Sequence, residues 1–159
     1  MKSDVRIRTA LPGEAEEIAR VLCEAFAPFE RLYTAEAFAA TVISPEKVRE
    51  RFNEAGAIWT ARQNGKIIGT VSAVPDGERL YIRSMAVLPA AQGLGIGRKL
   101  LEAVESYAAG NGFEKLFLYT TPYLPAAIRL YEQNGFMRGE LKTEGFFGTP
   151  YFAMEKKLN

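Results

Sequence analysis

Three glycines at alternate positions, Gly93, Gly95 and Gly97, lie where an apolar segment gives way to a helical pattern. Glycine permits a positive φ and lets a ligand approach the backbone without meeting a Cβ atom. The first turn of a helix leaves N–H groups unpaired and carries partial positive charge, so it binds phosphate well. This spacing therefore predicts a phosphate-binding loop, and a glycine-rich turn that holds no ligand is the alternative.

Two familiar phosphate-binding loops do not fit this spacing. A dinucleotide-binding loop needs a further glycine at the place of Arg98 or Leu100, depending on which glycine begins the count. The next strand also ends at Tyr119 without an acidic residue to bind a ribose. A nucleoside-triphosphatase loop needs Gly-Lys followed by Ser or Thr, whereas Gly97 is followed by Arg-Lys-Leu. Both interpretations are excluded.

The elements around the loop indicate a mixed α/β sheet. Predicted strands cover 5–8, 58–62, 67–74, 80–87, 116–119, 136–142 and 151–157. Predicted helical segments start at Pro12, near 35–42 and 46–53, after the glycine loop as far as Gly110 or Gly112, and from Pro125 to Tyr131. Asn64-Gly65 between two apolar runs indicates a hairpin. Strands 80–88 and 115–119 flank a crossover helix, so we expect them to be parallel, with the loop at the carboxyl end of the first.

Length and charge describe an ordinary globular chain. At 159 residues it is expected to form one domain over 1–159, and a net charge of +1 does not favour nucleic acid or an anionic membrane as a partner. The N-terminus lacks an apolar signal core and no apolar run reaches membrane-spanning length, so we expect a cytoplasmic protein, as a monomer or homodimer.

The chain contains no histidine and one cysteine, which restricts its chemistry. Ser-His-Asp and Cys-His catalytic devices are excluded, and only Cys23 and carboxylates remain as metal ligands, so no metal is predicted. Cys23 lies within an amphipathic helical pattern, and we expect a buried thiol rather than a reactive one.

The spacing that does fit is Gln-x-x-Gly-x-Gly, at Gln92, Gly95 and Gly97. Together with Ser-Met-Ala-Val at 84–87 and Ala-Ile-Arg-Leu-Tyr-Glu-Gln-Asn-Gly-Phe at 127–136, it resembles the Gcn5-related N-acetyltransferase (GNAT) superfamily. The element order extends the resemblance over nearly the whole chain. It implies a single-domain mixed, mostly antiparallel twisted sheet of six to seven strands with helices on both faces. It also implies an N-acetyltransferase with acetyl-CoA as co-substrate.

The resemblance implies a coenzyme site made largely of backbone. The pyrophosphate is expected on the N–H groups of Gly93, Leu94, Gly95, Ile96, Gly97 and Arg98. Gln92 stands at the entrance of the loop, and the side chains of Arg98 and Lys99 either add charge or are simply solvated. Met85 and Val87 pair their backbone with the pantetheine arm as with an added strand, and an N–H freed by a bulge there polarises the thioester carbonyl.

Tyr131 occupies the tyrosine position of that family and is the predicted catalytic residue. Its hydroxyl is expected to donate a hydrogen bond to the sulfur as an amine expels the thiolate. An unperturbed tyrosine has a pKa of about 10 and a thiol about 8.5, so full proton transfer is slightly uphill. A tyrosine that only anchors its helix is the alternative.

Two positions depart from the family and leave the acceptor side open. Leu124 stands where an asparagine is common, and Tyr81 where many relatives have a glutamate that acts on the amine. Glu30, Asp76 and Glu78 are candidate bases or merely solvated carboxylates, and ordered water is another route.

Acceptor recognition is expected from residues 26–45. Phe29 and Tyr33 from this segment, with Tyr81, are the predicted substrate residues. The expected acceptor is a primary amine of a small molecule, amino acid or peptide, which attacks directly in a ternary complex. A non-catalytic acyl-CoA sensor and a nucleotide-binding regulatory domain are the competing hypotheses.

Overall fold

Seven strands and five α-helices follow one another in the computed structural model, which describes residues 4–158. The strands are β1 (Arg6–Thr9), β2 (Ala57–Gln63), β3 (Lys66–Asp76), β4 (Arg79–Val87), β5 (Lys115–Thr120), β6 (Met137–Arg138) and β7 (Phe152–Lys157). The helices are α1 (Ala15–Phe26), α2 (Ala35–Thr41), α3 (Pro45–Arg51), α4 (Ile96–Gly110) and α5 (Pro125–Gln133). Short 3-10 helices cover Pro12–Glu14, Ala27–Leu32 and Pro89–Ala91. Among the described residues no helix is both long and apolar enough to cross a membrane.

The seven strands form one sheet in the order β1-β2-β3-β4-β5-β7-β6. Neighbouring strands are antiparallel except for β4 and β5, which are parallel. This arrangement confirms the predicted mixed, mostly antiparallel sheet and the parallel pair that flanks the glycine loop. The β2–β3 hairpin turns at Asn64 and Gly65, whose φ values of 53° and 76° suit the mirror-image turn that Asn-Gly favours.

The parallel strands β4 and β5 separate toward their carboxyl ends. They pair over three residues only, from Arg79↔Lys115 to Tyr81↔Phe117. Beyond Tyr81, β4 stays paired with β3 as far as Val87, while β5 pairs with β7. The separation opens a gap in the sheet at the edge where open α/β sheets bind ligands.

Helices cover both faces of the sheet, as predicted. On one face α1 and α3 bury a cluster that includes Leu22 and Val48, and on the other α4 and α5 bury one that includes Leu100 and Ile128. Leu22 and Leu100 are 1% and 0% exposed. Burial of each such leucine contributes roughly 1.5–3 kcal/mol, so both helical layers are held firmly to the sheet.

The first helix differs from the prediction at its start and on its outer side. Pro12–Glu14 forms a 3-10 turn and the α-helix begins at Ala15. The Glu14 carboxylate accepts the Leu11 N–H at 2.8 Å, which closes this turn before the regular helix. Cys23 is exposed, so the predicted buried thiol is wrong. The buried residues of α1 include Leu22 and Ala25, and Cys23 is rotated away from their face.

The strand predicted over 136–142 is much shorter. Only Met137 and Arg138 pair with β7, and an isolated bridge joins Lys142 to Tyr151. Between Lys142 and Tyr151 the chain leaves the sheet and turns at Gly145 and Gly148, which have φ values of 108° and 81°. This loop reaches the gap between β4 and β5, because Gly145 lines the cavity found there.

Candidate active site

A cavity of about 880 Å³ includes the gap between β4 and β5. Twelve of the predicted site residues line it: Phe29, Tyr33, Tyr81, Met85, Val87, Gln92, Gly93, Gly95, Ile96, Gly97, Arg98 and Tyr131. Leu94 is the exception, since its side chain is 49% exposed and lies outside the lining. Within residues 4–158, no group of His, Cys, Asp or Glu side chains could hold a metal ion. The fold thus brings residues that are distant in sequence to one cavity.

The glycine loop supplies unpaired backbone donors. Gly93 and Gly95 have φ values of 85° and 76°, which residues with a Cβ rarely adopt. Gly95 caps α4, and its carbonyl accepts the Lys99 N–H at 3.1 Å. In the described part of the chain, the N–H groups of residues 93–98 find no acceptor. A Cβ built on Gly93 or Gly95 would meet no atom within 4 Å, so an open cradle lies at a helix N-terminus and fits a pyrophosphate.

Gly97 has a different role from the other two glycines of the loop. A Cβ at this position would lie 2.7 Å from Leu130 Cδ2 and 3.3 Å from Met85 Cε. Its φ lies outside the positive range that Gly93 and Gly95 occupy. Gly97 therefore lets α4 approach α5 and β4 closely, which is a packing role that its place in the motif did not reveal.

Polar side chains of the loop bond to the protein itself. Gln92 Nε2 donates to the Val87 carbonyl at 3.4 Å and so connects the loop to the end of β4. Arg98 Nε donates to Glu102 Oε1 at 2.9 Å, and the Arg98 side chain is 70% exposed. Arg98 borders the cavity, whereas Lys99 is exposed and lies outside the lining. Charge at the mouth of the cradle thus comes from Arg98.

The β-bulge expected near Met85 is present. The β3–β4 register passes from Ser72↔Arg83 to Thr70↔Ala86, so that two residues of β4 oppose Val71 alone. Ser84 within the bulge has a φ of 54°, a strained value for a residue other than glycine. Met85 and Val87 follow where β4 has no strand partner on its β5 side. The unpaired edge can accept an extended ligand as an added strand.

Tyr131 lies near the end of α5 with its ring buried, at 7% exposure. Phe136 packs against it with a centroid separation of 5.8 Å. Burial raises the pKa of the Tyr131 phenol well above its ordinary value, and nearby Tyr33 raises it further. The hydroxyl therefore stays protonated at neutral pH and serves the cavity as a hydrogen-bond donor.

The entry to α5 is apolar where the family often has an asparagine. Leu124 precedes the helix with φ −117° and ψ 66°, makes no side-chain cap and lines the cavity. Thr121 supports the turn before it, since its hydroxyl accepts the Tyr123 N–H at 3.2 Å. A leucine cannot supply the hydrogen bonds of an asparagine, so at this position the cavity wall offers an apolar side chain.

Tyr33 and Phe29 come from the segment that leads into α2. Burial raises the pKa of the Tyr33 phenol, and a hydrogen bond with the Thr121 side chain lowers it in part. The Tyr33 ring meets that of Tyr123 edge to face, 6.4 Å between centroids. The next residue, Thr34, donates its N–H to Thr149 Oγ1 at 3.3 Å. These contacts join the segment to two C-terminal loops and close the cavity on the acceptor side.

Tyr81 begins an aromatic row on the sheet. Its ring stacks on Phe117 at 5.0 Å and meets Tyr119 edge to face at 5.7 Å. Burial raises the pKa of the Tyr81 phenol, an effect that nearby Arg83 opposes. A neutral phenol that lies on aromatic rings is not a base. Tyr81 therefore cannot act on the amine as the glutamate of related proteins does.

Two arginines that no sequence motif indicated line the same cavity. Arg51 is the last residue of α3, and Arg83 lies on β4 beside the bulge. Arg51 Nη1 donates to Ser84 Oγ at 2.6 Å, and Arg83 Nη2 donates to Glu54 Oε1 at 2.7 Å. Burial lowers the pKa of Arg51 to about 10, with Arg83 as the second cause. The sequence around Arg51 does not predict its place in the cavity, since the pattern of α3 is that of a short surface helix.

The candidate bases lie elsewhere. Glu30 is exposed, Asp76 forms an ion pair with Arg79 at 2.8 Å on the β3–β4 turn, and Glu78 is exposed on that turn. None of the three lines the cavity, and no other carboxylate among the described residues does so. The site thus combines aromatic rings, hydroxyls and arginines without an acidic group.

Comparison with known proteins gives a consistent result. The sequence model of the acetyltransferase (GNAT) family matches residues 17–136. A mycothiol acetyltransferase of Amycolatopsis mediterranei is 33% identical over 152 residues, which is 88% of this chain and 48% of that protein. An uncharacterized N-acetyltransferase of Escherichia coli, YjgM, is 30% identical over 103 residues, 60% of this chain and 62% of that protein. The chain spans about half the length of the curated relatives it matches.

Solved structures share the fold over almost the whole chain. A GNAT-family acetyltransferase of Staphylococcus aureus superposes with a TM-score of 0.81 at 19% identity, covering 98% of this chain and 100% of the other. The PaiA N-acetyltransferase of Thermoplasma acidophilum, solved with coenzyme A, gives a TM-score of 0.80 at 20% identity and covers 98% and 99%. Since the family model spans most of the chain and the fold agrees, this chain belongs to the acetyltransferase (GNAT) family.

Proposed function

We propose that this protein transfers the acetyl group of acetyl-CoA to the primary amine of a small molecule, amino acid or peptide, by direct attack in a ternary complex. Acetyl-CoA supplies an activated thioester when bound. Family membership supports the reaction class, and the cavity supports room for both substrates at once. We assign the whole chain, 1–159, to this one catalytic domain.

Coenzyme binding is assigned to the backbone of the glycine loop and of β4. The unpaired N–H groups of residues 93–98 would hold the pyrophosphate, with Arg98 adding charge at the rim. The free edge of β4 at Met85 and Val87 would pair with the amides of the pantetheine arm. An N–H released by the bulge would bind the carbonyl oxygen as negative charge develops on it.

Tyr131 is proposed to stabilise the leaving sulfur. The amine lone pair forms the new C–N bond, the C–S bond breaks, and the electron pair leaves on sulfur. Because burial raises the pKa of Tyr131 far above that of a thiol, donation of a hydrogen bond without complete proton loss is the favoured role. The attacking nitrogen loses one proton as the amide forms, the thiolate gains one directly or through water, and Tyr131 ends each turnover unchanged.

Removal of the amine proton is assigned to water. No carboxylate among the described residues lines the cavity, and the chain has no histidine. An amine needs to lose only one proton before it attacks, so the neutral fraction in solution is sufficient. This assignment takes the place of Glu30, Asp76 and Glu78 as candidate bases.

The observation that carries the proposal is the unpaired cradle of residues 93–98 at one end of the cavity that also contains the Tyr131 ring. The test is an initial-velocity study with an amine panel, in which free thiol and N-acetyl product are both quantified. Equal amounts of the two products and double-reciprocal lines that intersect would support direct transfer in a ternary complex. Parallel lines would indicate a covalent acetyl-enzyme and overturn the proposed route.

An acyl-CoA sensor is the second candidate, and Leu124 and the acid-free cavity are the observations that favour it. Tight acetyl-CoA binding by calorimetry, with no thiol released across the panel, would select the sensor. Preferential binding of ATP or NAD would instead select a nucleotide-binding domain.

A further inference from the structure

The guanidinium of Arg51 borders the cavity without an ionic partner. Its Nη1 donates to the hydroxyls of Ser84 at 2.6 Å and Ser72 at 3.5 Å. Among residues 4–158 no carboxylate lies within ion-pair distance of it, and its Nε and Nη2 groups donate to no acceptor. Two neutral hydroxyls therefore fix one side of the guanidinium and leave its other N–H groups free.

The charges near Arg51 leave an excess of one. Arg83 is the second cation. Glu54 pairs with Arg83 at 2.7 Å and also stabilises the charge of Arg51, so that it balances one of the two cations. The Arg83 Nε is buried without an acceptor in the described part of the chain, so donors also exceed acceptors here. With no carboxylate in the cavity lining, the positive charge of Arg51 faces the cavity unbalanced. A charge held in a half-buried site is costly unless an opposite charge meets it.

We infer that the acceptor amine carries a carboxylate and that Arg51 binds it, so that the acceptor is an amino acid or a closely similar aminocarboxylic acid. This inference rests on the proposed acetyl transfer and narrows its acceptor. The free edge of a guanidinium matches the two oxygens of a carboxylate. A single negative charge balances the excess of one, whereas a phosphate dianion exceeds it.

The rest of the acceptor is expected to be apolar. Phe29, Tyr33 and Tyr81 line the cavity together with Arg51, and Phe146 reaches it from the C-terminal loop. These rings suit an aliphatic or aromatic side chain. A carboxylate on Arg51 with an apolar body on the rings fixes the acceptor at two points in the cavity that Tyr131 also lines.

The first experiment compares matched acids and amides on the wild-type protein. α-, β- and γ-Amino acids with leucine or phenylalanine side chains are each assayed beside the carboxamide, with rates expressed per neutral amine. For at least one spacing we expect kcat/KM to favour the acid by about 10- to 100-fold, as for a charge-assisted hydrogen bond. Equal rates for every acid and its amide would overturn the inference while leaving acetyl transfer intact.

Three variants separate recognition from a structural role. R51Q is expected to remove the preference, mainly through KM, and R51K to keep part of it as a point charge. Arg49, two residues earlier on α3, forms an exposed ion pair with Glu16 at 3.1 Å, so R49Q is the matched control and keeps the wild-type preference. A preference that survives in R51Q would contradict the assignment.

A binding measurement makes the test independent of turnover. The N-acetyl acids and their N-acetyl amides are titrated by calorimetry into wild type and R51Q, each with coenzyme A present. If wild type binds the acids more tightly than the amides and R51Q does not, the inference is supported. If the same selective binding is found but no acetyl group is transferred, the inference stands and only the proposed function is rejected. Equal binding of acids and amides to wild type would reject the inference itself.

Discussion

The two ends of the cavity are built from different materials. At the coenzyme end, one continuous loop supplies backbone N–H groups, and two glycines at positive φ hold them in place. At the acceptor end, side chains arrive from separate segments: Tyr33 from the turn before α2, Arg51 from α3, Tyr81 from β4 and Phe146 from the C-terminal loop. A backbone site is specified locally, whereas a side-chain site exists only once the sheet has formed.

Tyr131 lines the same cavity, and its replacement should have the largest effect. Y131F removes the hydroxyl that we propose donates to the leaving sulfur, and loss of one such donor costs about 10²–10³ in kcat. The KM for acetyl-CoA should change little, because coenzyme binding is assigned to the backbone of the loop and of β4. Single-turnover transfer measures the effect directly.

Y107F is the matched control for this change, since Tyr107 packs against Trp59 and Phe113 outside the cavity lining. It should leave kcat unchanged. A Y131F variant with wild-type single-turnover rate would assign Tyr131 to anchoring α5 and remove it from the chemistry.

A branched side chain at Gly95 should damage the coenzyme end alone. G95V places a β-branched residue at φ 76°, which costs on the order of 1–3 kcal/mol and turns the loop N–H groups away from their ligand. We expect affinity for coenzyme A to fall about 10- to 100-fold by calorimetry, since each 1.4 kcal/mol is a factor of ten.

Gly110 at the other end of α4 offers the control. Its φ is not positive and a Cβ there meets nothing within 4 Å, so G110A should bind coenzyme A as wild type does. If G95V also keeps its full affinity, the cradle is not where the coenzyme binds.

The pH profile distinguishes water from a carboxylate base. We expect kcat/KM to rise tenfold per pH unit up to the pKa of the amine itself, because only the neutral amine attacks. With a more basic acceptor amine, the pH at which kcat/KM stops rising should be higher, and with a less basic one it should be lower. An acidic limb that stays near pH 4–7 for every amine would indicate an enzyme base after all.

On the alkaline side the profile reports the acceptor end. Burial lowers the pKa of Arg51 to about 10, so its positive charge is kept well below that pH and is lost as the pH rises through it. The kcat/KM of a carboxylate acceptor should fall as pH rises through about 10, and that of its amide should not. Measuring kcat/KM against pH for the acid and for its amide on the wild-type protein tests this expected difference.

The smallest effect is expected at Cys23. Because its side chain is exposed on α1, C23S should change the free energy of unfolding by less than about 0.5 kcal/mol. Urea unfolding measures this, and modification of the native protein by a thiol reagent should proceed readily. If C23S lowered the free energy of unfolding by several kcal/mol, the thiol would have to be buried, as the helical pattern predicted.

The sequence predicted the fold where pattern and turn chemistry act locally. Asn64-Gly65 identified the hairpin, and the loop between an apolar strand and an amphipathic helix identified the parallel pair. The segment 136–142 failed because its alternation gives no sign that regular pairing with β7 stops at Arg138, before the chain turns at Gly145 and Gly148. Cys23 failed because one residue of rotation on a helix separates a buried position from an exposed one.

In the site, too, features set by local sequence could be predicted and features set by the assembled fold could not. The open loop with its positive-φ glycines could be predicted from the sequence, although the packing of Gly97 against Leu130 could not, since it depends on where α5 lies. A role for Arg51 in the cavity could not be predicted from its neighbours in sequence. It depends on the hydrogen bond to Ser84 in the bulge and on a cavity lining that contains no carboxylate. Charge balance in a cavity is a property of the assembled fold.

We propose that coenzyme A lies on the cradle of residues 93–98 and along the free edge of β4. At 17.6 kDa the chain suits amide-resolved NMR titration with coenzyme A. We expect the largest shifts at the N–H groups of residues 93–98 and of Met85–Val87, with little change on α3. Shifts centred on any other part of the surface, or no saturable shift at all, would contradict it.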